Sequence, residues 1–251
     1  MTRDELKNII KSEPYDFLRT DPHLAGRLMF LTIGGSHAYG TNIEGSDVDI
    51  RGVVLNSKED LLGLGDFEHY VDETTDTTVF SFNKAIKLIC SGNPNMLEQL
   101  GNSDDLVISY HPMTQLLFEN KNLFLSKKVI YSFGGFAGKL LEKADSLNKD
   151  PIYQNSTKMH KTVMNALRLY YMLFDILEKG EIVTYRNKEK DLLMLIRNGD
   201  YDYKELRKWV IPALETRLQV DKKETELPAQ VDMKRVNELV MAINERALKV
   251  T

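Results

Sequence analysis

The sequence predicts an α+β (α/β) protein, with a small sheet in the first 110 residues and helices in the rest. Three short segments rich in apolar or β-branched residues are typical of strands, at 27–33, 48–55 and 77–82. Beyond residue 110 strand patterns give way to helical spacing of apolar residues, at 126–144, 157–179, 188–197, 203–220 and 233–250. We therefore divide the chain into 1–110 and 111–251 and expect the two parts to pack against each other.

The strand segments differ in character. Residues 27–33 form an apolar run that ends at Gly34 and Gly35, which is typical of a buried strand entering a turn. Residues 48–55 alternate, and residues 77–82 are rich in threonine and aromatic side chains. Residues 82–90 then change to helical spacing, and the predicted helix stops before the glycine and proline at 92 and 94.

Composition excludes several classes of protein. The 251 residues carry a net charge of −4, which argues against a general nucleic-acid-coating protein. There is one cysteine, Cys90, so no disulfide framework is expected within the chain. No run of eighteen apolar residues occurs, and the N-terminal residues lack an apolar signal core. These features predict a cytoplasmic protein.

Charge is distributed unevenly along the chain. Residues 1–110 contain 9 Lys and Arg against 18 Asp and Glu, a net charge of −9. Residues 121–209 contain 17 against 11, a net charge of +6. An acidic first part suits a cation site, and a basic second part suits a polyanionic substrate.

Two carboxylates are the first candidate site residues. Asp47 and Asp49 lie two residues apart on a predicted strand, where alternate side chains point to the same face. Like charges that close resist ionising together unless a cation joins them. Mg²⁺ binds one or two carboxylates together with substrate phosphates. The pair therefore predicts a magnesium site.

The turn upstream of the carboxylates has the features of a phosphate site. A buried strand leads into Gly34, Gly35 and Ser36, where glycine lets the backbone approach a ligand closely. Amide groups at the start of a short helix, with the Ser36 hydroxyl, would bind phosphate oxygens. The residues between Ser36 and Asp47 leave room for that helix and a return to the neighbouring strand.

Gly35-Ser36 followed by Asp47-Val48-Asp49 resembles the signature of the DNA polymerase β-like nucleotidyltransferase superfamily. The longer strings at 35–41 and 46–52 resemble one branch of it, the predicted nucleotidyltransferases associated with RNA ligases in bacteria and phages. Segments 93–100, 160–168 and 195–199 also fit that branch. The resemblance extends over residues 22–200, and it is strongest at 34–52.

The resemblance implies a small mixed sheet with helices on one face, and a third carboxylate on the neighbouring strand. The match falls at Asp76, with Asp72 as the rival. In the implied mechanism Asp47 and Asp49 bind two magnesium ions, for which Mn²⁺ could substitute, and Asp76 binds one ion and activates the acceptor hydroxyl. Residues 1–110 would be the catalytic domain, and the helical part would complete the substrate cleft.

Other polar residues admit two interpretations. His37 could contact a triphosphate or cap the short helix. Arg51 could touch a phosphate, although a structural ion pair is favoured. Lys161 and Arg168 lie seven residues apart on one helix face, which we predict to be the second wall of the nucleotide cleft. Asn93 is interpreted as a helix N-cap.

The sequence thus favours a metal-dependent nucleotidyltransferase that uses a nucleoside triphosphate such as ATP. The acceptor could be an RNA 3′ end, as the family association suggests, a protein hydroxyl or a small molecule. The alternatives are a non-catalytic nucleotide- or partner-binding module of the same fold, and an antitoxin-like enzyme that nucleotidylates a protein.

Overall fold

The computed structural model describes residues 2–250, and of Val250 only the backbone. Its sheet contains five strands in the order β3-β4-β2-β1-β5. Strands β2 and β4 are parallel, and the other three pairs are antiparallel. The strands are β1 (Leu28–Ile33), β2 (Ile50–Val54), β3 (His69–Asp72), β4 (Thr77–Ser81) and β5 (Val107–Ser109).

Helices surround the sheet and form the whole second part of the described chain. The first seven are α1 (Arg3–Lys11), α2 (Phe17–Thr20), α3 (Gly35–Tyr39), α4 (Lys58–Leu62), α5 (Phe82–Cys90), α6 (Pro94–Leu100) and α7 (Met113–Glu119). The remainder are α8 (Lys128–Lys149), α9 (Thr157–Lys179), α10 (Lys190–Asn198), α11 (Tyr203–Glu205), α12 (Ile211–Glu224) and α13 (Met233–Val250). A π-helical turn, Leu206–Val210, joins α11 to α12.

Both faces of the sheet are covered, whereas the resemblance implied helices on one face. Leu6 and Ile10 lie four residues apart on α1 and pack with Leu31 and Val54 on one side of the sheet. On the other side, side chains of β1 and β2 join the core of α5, α8 and α9. Because side chains alternate along a strand, neighbouring residues of each strand reach these two cores.

Helix α9 is the centre of the larger core. Its N-cap is Ser156, whose side chain accepts a hydrogen bond from the Met159 amide, and it ends at Gly180 with φ +67°. The predicted bounds of this helix are confirmed. Its aromatic residues Tyr170 and Phe174 are buried in the core, and so is Cys90 of α5.

One hydrophobic core extends across the predicted division near residue 110. It includes residues of β1, β2, α5 and α6 together with residues of α8, α9 and α13. The Asn244 side chain of α13 also donates a hydrogen bond of 3.0 Å to Asn83 of α5. The two parts therefore pack against each other, as expected, while the domain division itself stays a prediction.

Two strands were absent from the sequence prediction. Strands β3 and β5 contain four and three residues, too few for a periodic pattern to be distinguished. The second predicted strand was also wrong at its start, because β2 begins at Ile50 and residues 47–49 precede it. From residue 2 to 250, no helix has the length and apolar composition that crossing a membrane requires.

Candidate active site

Three sheet strands bring the motif residues to one end of the sheet. Ile33, the last residue of β1, pairs with Ile50, the first residue of β2. Ile50 also pairs with Thr77, the first residue of β4. The turn that follows β1, the residues that precede β2 and the residue that precedes β4 are therefore neighbours.

Hydrogen bonds continue this arrangement just beyond the strand ends. The Gly34 amide donates to the Asp49 carbonyl at 2.8 Å, and the Ile50 amide donates to the Asp76 carbonyl at 3.2 Å. The turn, Asp49 and Asp76 are thus connected through their main chains. Their relative positions depend on backbone hydrogen bonds rather than on flexible side chains.

Gly35 is required where it lies. Its φ is +60°, in the left-handed region that favours glycine. A Cβ atom at this position would lie 1.7 Å from Oδ2 of Asp49. The Asp49 carboxylate therefore occupies the space that a side chain would fill, directly against the first turn of α3.

Asp49 and Asp76 form a carboxylate pair within hydrogen-bonding reach of each other. Burial, with the neighbouring Asp76, raises the pKa of Asp49 to about 7. The hydrogen bond with Asp49 holds the pKa of Asp76 below its ordinary value, and the Arg51 guanidinium adds to this effect. Asp49 therefore titrates near neutral pH, as expected for a buried carboxyl group beside a second carboxylate.

Arg51 partly compensates this charge. Its Nη2 lies 3.4 Å from Oδ1 of Asp49 and 3.1 Å from Oδ1 of Asp76. Its Nη1 donates to the Asp76 carbonyl at 2.5 Å. The ion pair that was favoured for Arg51 from the sequence is confirmed.

Asp47 is exposed in the extended segment before β2. The expectation that Asp47 and Asp49 both lie on the strand is wrong, because the strand pairing starts one residue after Asp49. Across residues 2–250, no three His, Cys, Asp or Glu side chains are grouped closely enough to hold a metal ion. Asp49 and Asp76 meet, and Asp47 does not join them in this arrangement.

The donor set nevertheless fits magnesium. Mg²⁺ commonly uses one or two carboxylates and takes its other ligands from water and substrate phosphates. The pair of Asp49 and Asp76 offers these two carboxylates, and a cation would favour the ionised form of Asp49, whose pKa is raised by burial and by the neighbouring Asp76. Asp47 lies two residues from Asp49 and is free to rotate because it is exposed.

A cavity of about 280 Å³ opens beside the carboxylate pair. One side is formed by Gly35, Ser36 and Asp49. The other side is formed by basic residues of α9 and α10, namely Lys161, Arg168 and Arg197. A smaller cavity of about 130 Å³ adjoins it and is lined by Gly34, Asp49, Arg51, Asn95 and Glu98 among others. The phosphate turn, Asp49 and the basic helix face therefore meet at one cleft.

A family model described as RlaP, RNA repair pathway DNA polymerase β family, matches residues 2–242. The chain belongs to this family. This membership confirms the resemblance found in the sequence. The matched range also includes α11, α12 and most of α13, for which the sequence had shown no resemblance. No curated protein matches the chain.

In this RlaP family member, Arg168 is part of a buried cluster. Its Nη1 forms an ion pair of 2.6 Å with Glu98, and its guanidinium lies 3.6 Å from the centre of the Tyr39 ring. The Tyr39 hydroxyl donates to the other Glu98 oxygen at 2.7 Å. This cluster joins α3, α6 and α9, so Arg168 stabilises the cleft wall, and its predicted contact with nucleotide stays a prediction.

The other polar candidates are distributed as follows. His37 does not cap α3, since Nε2 contacts the Ser46 carbonyl at 3.2 Å and the N-cap Gly34 has no side chain. Asn93 is the N-cap of α6, as predicted, with its side chain accepting from the Met96 amide. Asp72, the rival third carboxylate, accepts two hydrogen bonds from Thr75 within its own turn, whereas Asp76 adjoins Asp49.

Arg197 was missed as a site residue from the sequence. It lies in the last turn of α10, is 6 % exposed, and lines the cavity. Burial lowers the pKa of its guanidinium. Arg197 lies within the segment 195–199, which resembles the family, so the sequence did contain a signal for it. A basic residue near the C-terminus of a helix is, however, ordinarily explained by its favourable interaction with the helix dipole.

Proposed function

We propose that the protein is a metal-dependent nucleotidyltransferase that transfers a nucleotide from a nucleoside triphosphate to an acceptor hydroxyl and releases pyrophosphate. The observation that carries this proposal is the pair of Asp49 and Asp76 beside the Gly35 turn, where Asp49 lines a cavity that also contains basic residues of α9 and α10. Family membership supports the same reaction class.

The donor would occupy the larger cavity. The amide groups at the start of α3 and the Ser36 hydroxyl would bind phosphate oxygens, and Lys161 would neutralise charge from the opposite wall. His37 lies in the same turn. Apolar side chains from α8 and α9 also line the cavity, including Phe136, Leu140 and Met164, and they would pack against the base.

Asp47, Asp49 and Asp76 would hold magnesium, two ions if the family mechanism applies, with Mn²⁺ as a substitute. The bound metal would stabilise the attacking and leaving oxygens of an in-line displacement. Asp76 is 58 % exposed at its side chain and has a lowered pKa, so it is ionised and open to an approaching hydroxyl. We assign it the proton of that hydroxyl, while the bond between the α-phosphorus and pyrophosphate breaks.

We propose an RNA 3′ end as the acceptor. The family description names an RNA repair pathway, and residues 121–209 carry a net charge of +6 that suits a short contact with a polyanion. Action on RNA also fits a cytoplasmic location.

The test is transfer of label from the four α-³²P nucleoside triphosphates, with Mg²⁺, into total RNA and into protein. We expect label in RNA, and none with the Asp47→Ala/Asp49→Ala double variant. Asp76→Ala should abolish transfer, and Asp72→Ala is the matched control that should retain it, because Asp72 serves only its own turn. Label in protein would instead indicate the protein-nucleotidylating alternative. Triphosphate binding without any transfer would indicate the non-catalytic module.

A further inference from the structure

Arg197 differs from the other deeply buried arginines. Arg168, Arg186 and Arg197 are 4 %, 3 % and 6 % exposed. Arg168 is paired with Glu98, and Arg186 is paired with Asp175 and Glu189. Arg197 has no carboxylate partner among the residues that the structure describes.

The hydrogen-bonding groups of Arg197 are also unused. Its Nε and Nη1 are buried and have no partner among the described residues, and its Nη2 makes a single long contact of 3.4 Å with Oγ of Ser46. A buried charge without a partner is costly, so such a group ordinarily pairs with a carboxylate or with a ligand. A guanidinium with unpaired N–H groups is a suitable donor to phosphate oxygens.

The residues around Arg197 favour the binding of an anionic ligand. The cavity that it lines contains three basic side chains and one acidic side chain, Asp49, at the opposite wall. The start of α3 faces the same space with Gly35 and Ser36. A cavity of about 280 Å³ suits a phosphate chain and part of a nucleotide rather than a stretch of polynucleotide.

We infer that Arg197 binds the terminal phosphates of the donor triphosphate through its guanidinium, which lines the cavity and has no carboxylate partner among the described residues. This inference rests on the proposed function. It assigns to Arg197 the selection of donors by the number of their phosphate groups. A nucleoside monophosphate would leave the guanidinium unpaired, whereas a triphosphate placed with its α-phosphorus near Asp49 would extend toward α10. The same contact would stabilise the negative charge that develops on the pyrophosphate leaving group.

The experiment measures binding by calorimetry in EDTA, so that the metal makes no contribution. The probes are inorganic tripolyphosphate, ATP, AMP and a short 5′-phosphorylated RNA. Arg197→Gln removes the charge, and Arg235→Gln is the matched control, because Arg235 is exposed on α13. We expect Arg197→Gln to weaken the binding of tripolyphosphate and ATP about 10- to 100-fold, as the loss of one charge-assisted hydrogen bond predicts, and to leave the affinity for AMP within threefold.

A stability measurement separates a binding role from a structural one. Because Arg197 would lose only its long contact with Ser46 among the described residues, Arg197→Gln should unfold at the same temperature as the wild type or at a higher one. A structural arginine would give a lower unfolding temperature, as we expect for Arg168.

Each alternative result has a distinct meaning. Unchanged tripolyphosphate binding in Arg197→Gln, with binding intact in the wild type, would overturn the inference and leave the proposed function standing. A loss confined to the phosphorylated RNA would overturn the assignment to the donor. If the wild type bound neither tripolyphosphate nor ATP, with or without Mg²⁺, the proposed function would fail together with the inference.

Discussion

Replacing Gly35 with alanine should displace the Asp49 carboxylate and reduce activity while the protein still folds. An alanine Cβ would lie 1.7 Å from Oδ2 of Asp49, and real Cβ atoms do not approach other atoms closer than 3.0 Å. The Asp49 oxygen would therefore have to move by the difference, about 1.3 Å. Misplacement of a reacting group by about 1 Å can cost on the order of 10²-fold in rate. We expect a loss of that size in nucleotide transfer.

The backbone strain of this substitution has a matched control. Gly26 has φ +72°, close to the +60° of Gly35, and a Cβ there would have no atom within 4 Å. Both alanine variants should lose about 1–2 kcal/mol of folding free energy from the left-handed conformation. Only Gly35→Ala should lose activity, because only its Cβ displaces a carboxylate.

Urea unfolding measures the stability of both variants. Mn²⁺ binding, followed by electron paramagnetic resonance, and the rate of nucleotide transfer report on the site. Equal Mn²⁺ affinity and equal rates in the Gly35→Ala and Gly26→Ala variants would refute the reasoning. In that case the Asp49 carboxylate at its present position would not be needed for metal or for chemistry.

Three further predictions concern stability and pH. Arg168→Met should lower the free energy of unfolding by about 3–5 kcal/mol, because Glu98 would remain buried without its partner, and adding Glu98→Gln should restore part of the loss in urea titrations. The folded metal-free protein holds a proton on Asp49, whose pKa rises from 3.8 when unfolded to about 7. Between these two pKa values the free energy of unfolding should fall as pH rises, and Asp49→Asn should remove this pH dependence. The affinity for Mn²⁺ should increase through pH 7 as Asp49 releases its proton. A flat Mn²⁺ affinity between pH 6 and 8 would contradict this assignment. Asn93→Ala should cost about 1 kcal/mol through loss of the α6 N-cap without changing triphosphate affinity, as unfolding and binding measurements together would show.

Elements defined by local patterns were predictable. Helices α5, α9 and α13 have the bounds that their apolar spacing indicated. The short strands were not predictable, because β3 and β5 exist only through pairing with β4 and β1. A three- or four-residue segment carries too little pattern of its own.

The sequence by itself determined the order of the site: a strand, a glycine turn, then two aspartates at a spacing that returns the chain to the neighbouring strand. These are local properties of one segment, so they could be inferred without coordinates. The sequence also indicated Asp76 as the third carboxylate, with Asp72 as its rival. Which of these two aspartates adjoins Asp49 is visible only in the structure.

Only the tertiary structure decided the roles of the basic residues. Helical spacing placed Lys161 and Arg168 on one face, but the partner of Arg168 is Glu98, seventy residues away. Arg197, which the sequence did not single out, is buried and has no carboxylate partner within the part of the chain that the structure describes. Whether a buried charge is paired or open to a ligand depends on residues that are distant in the chain, and packing alone brings them together.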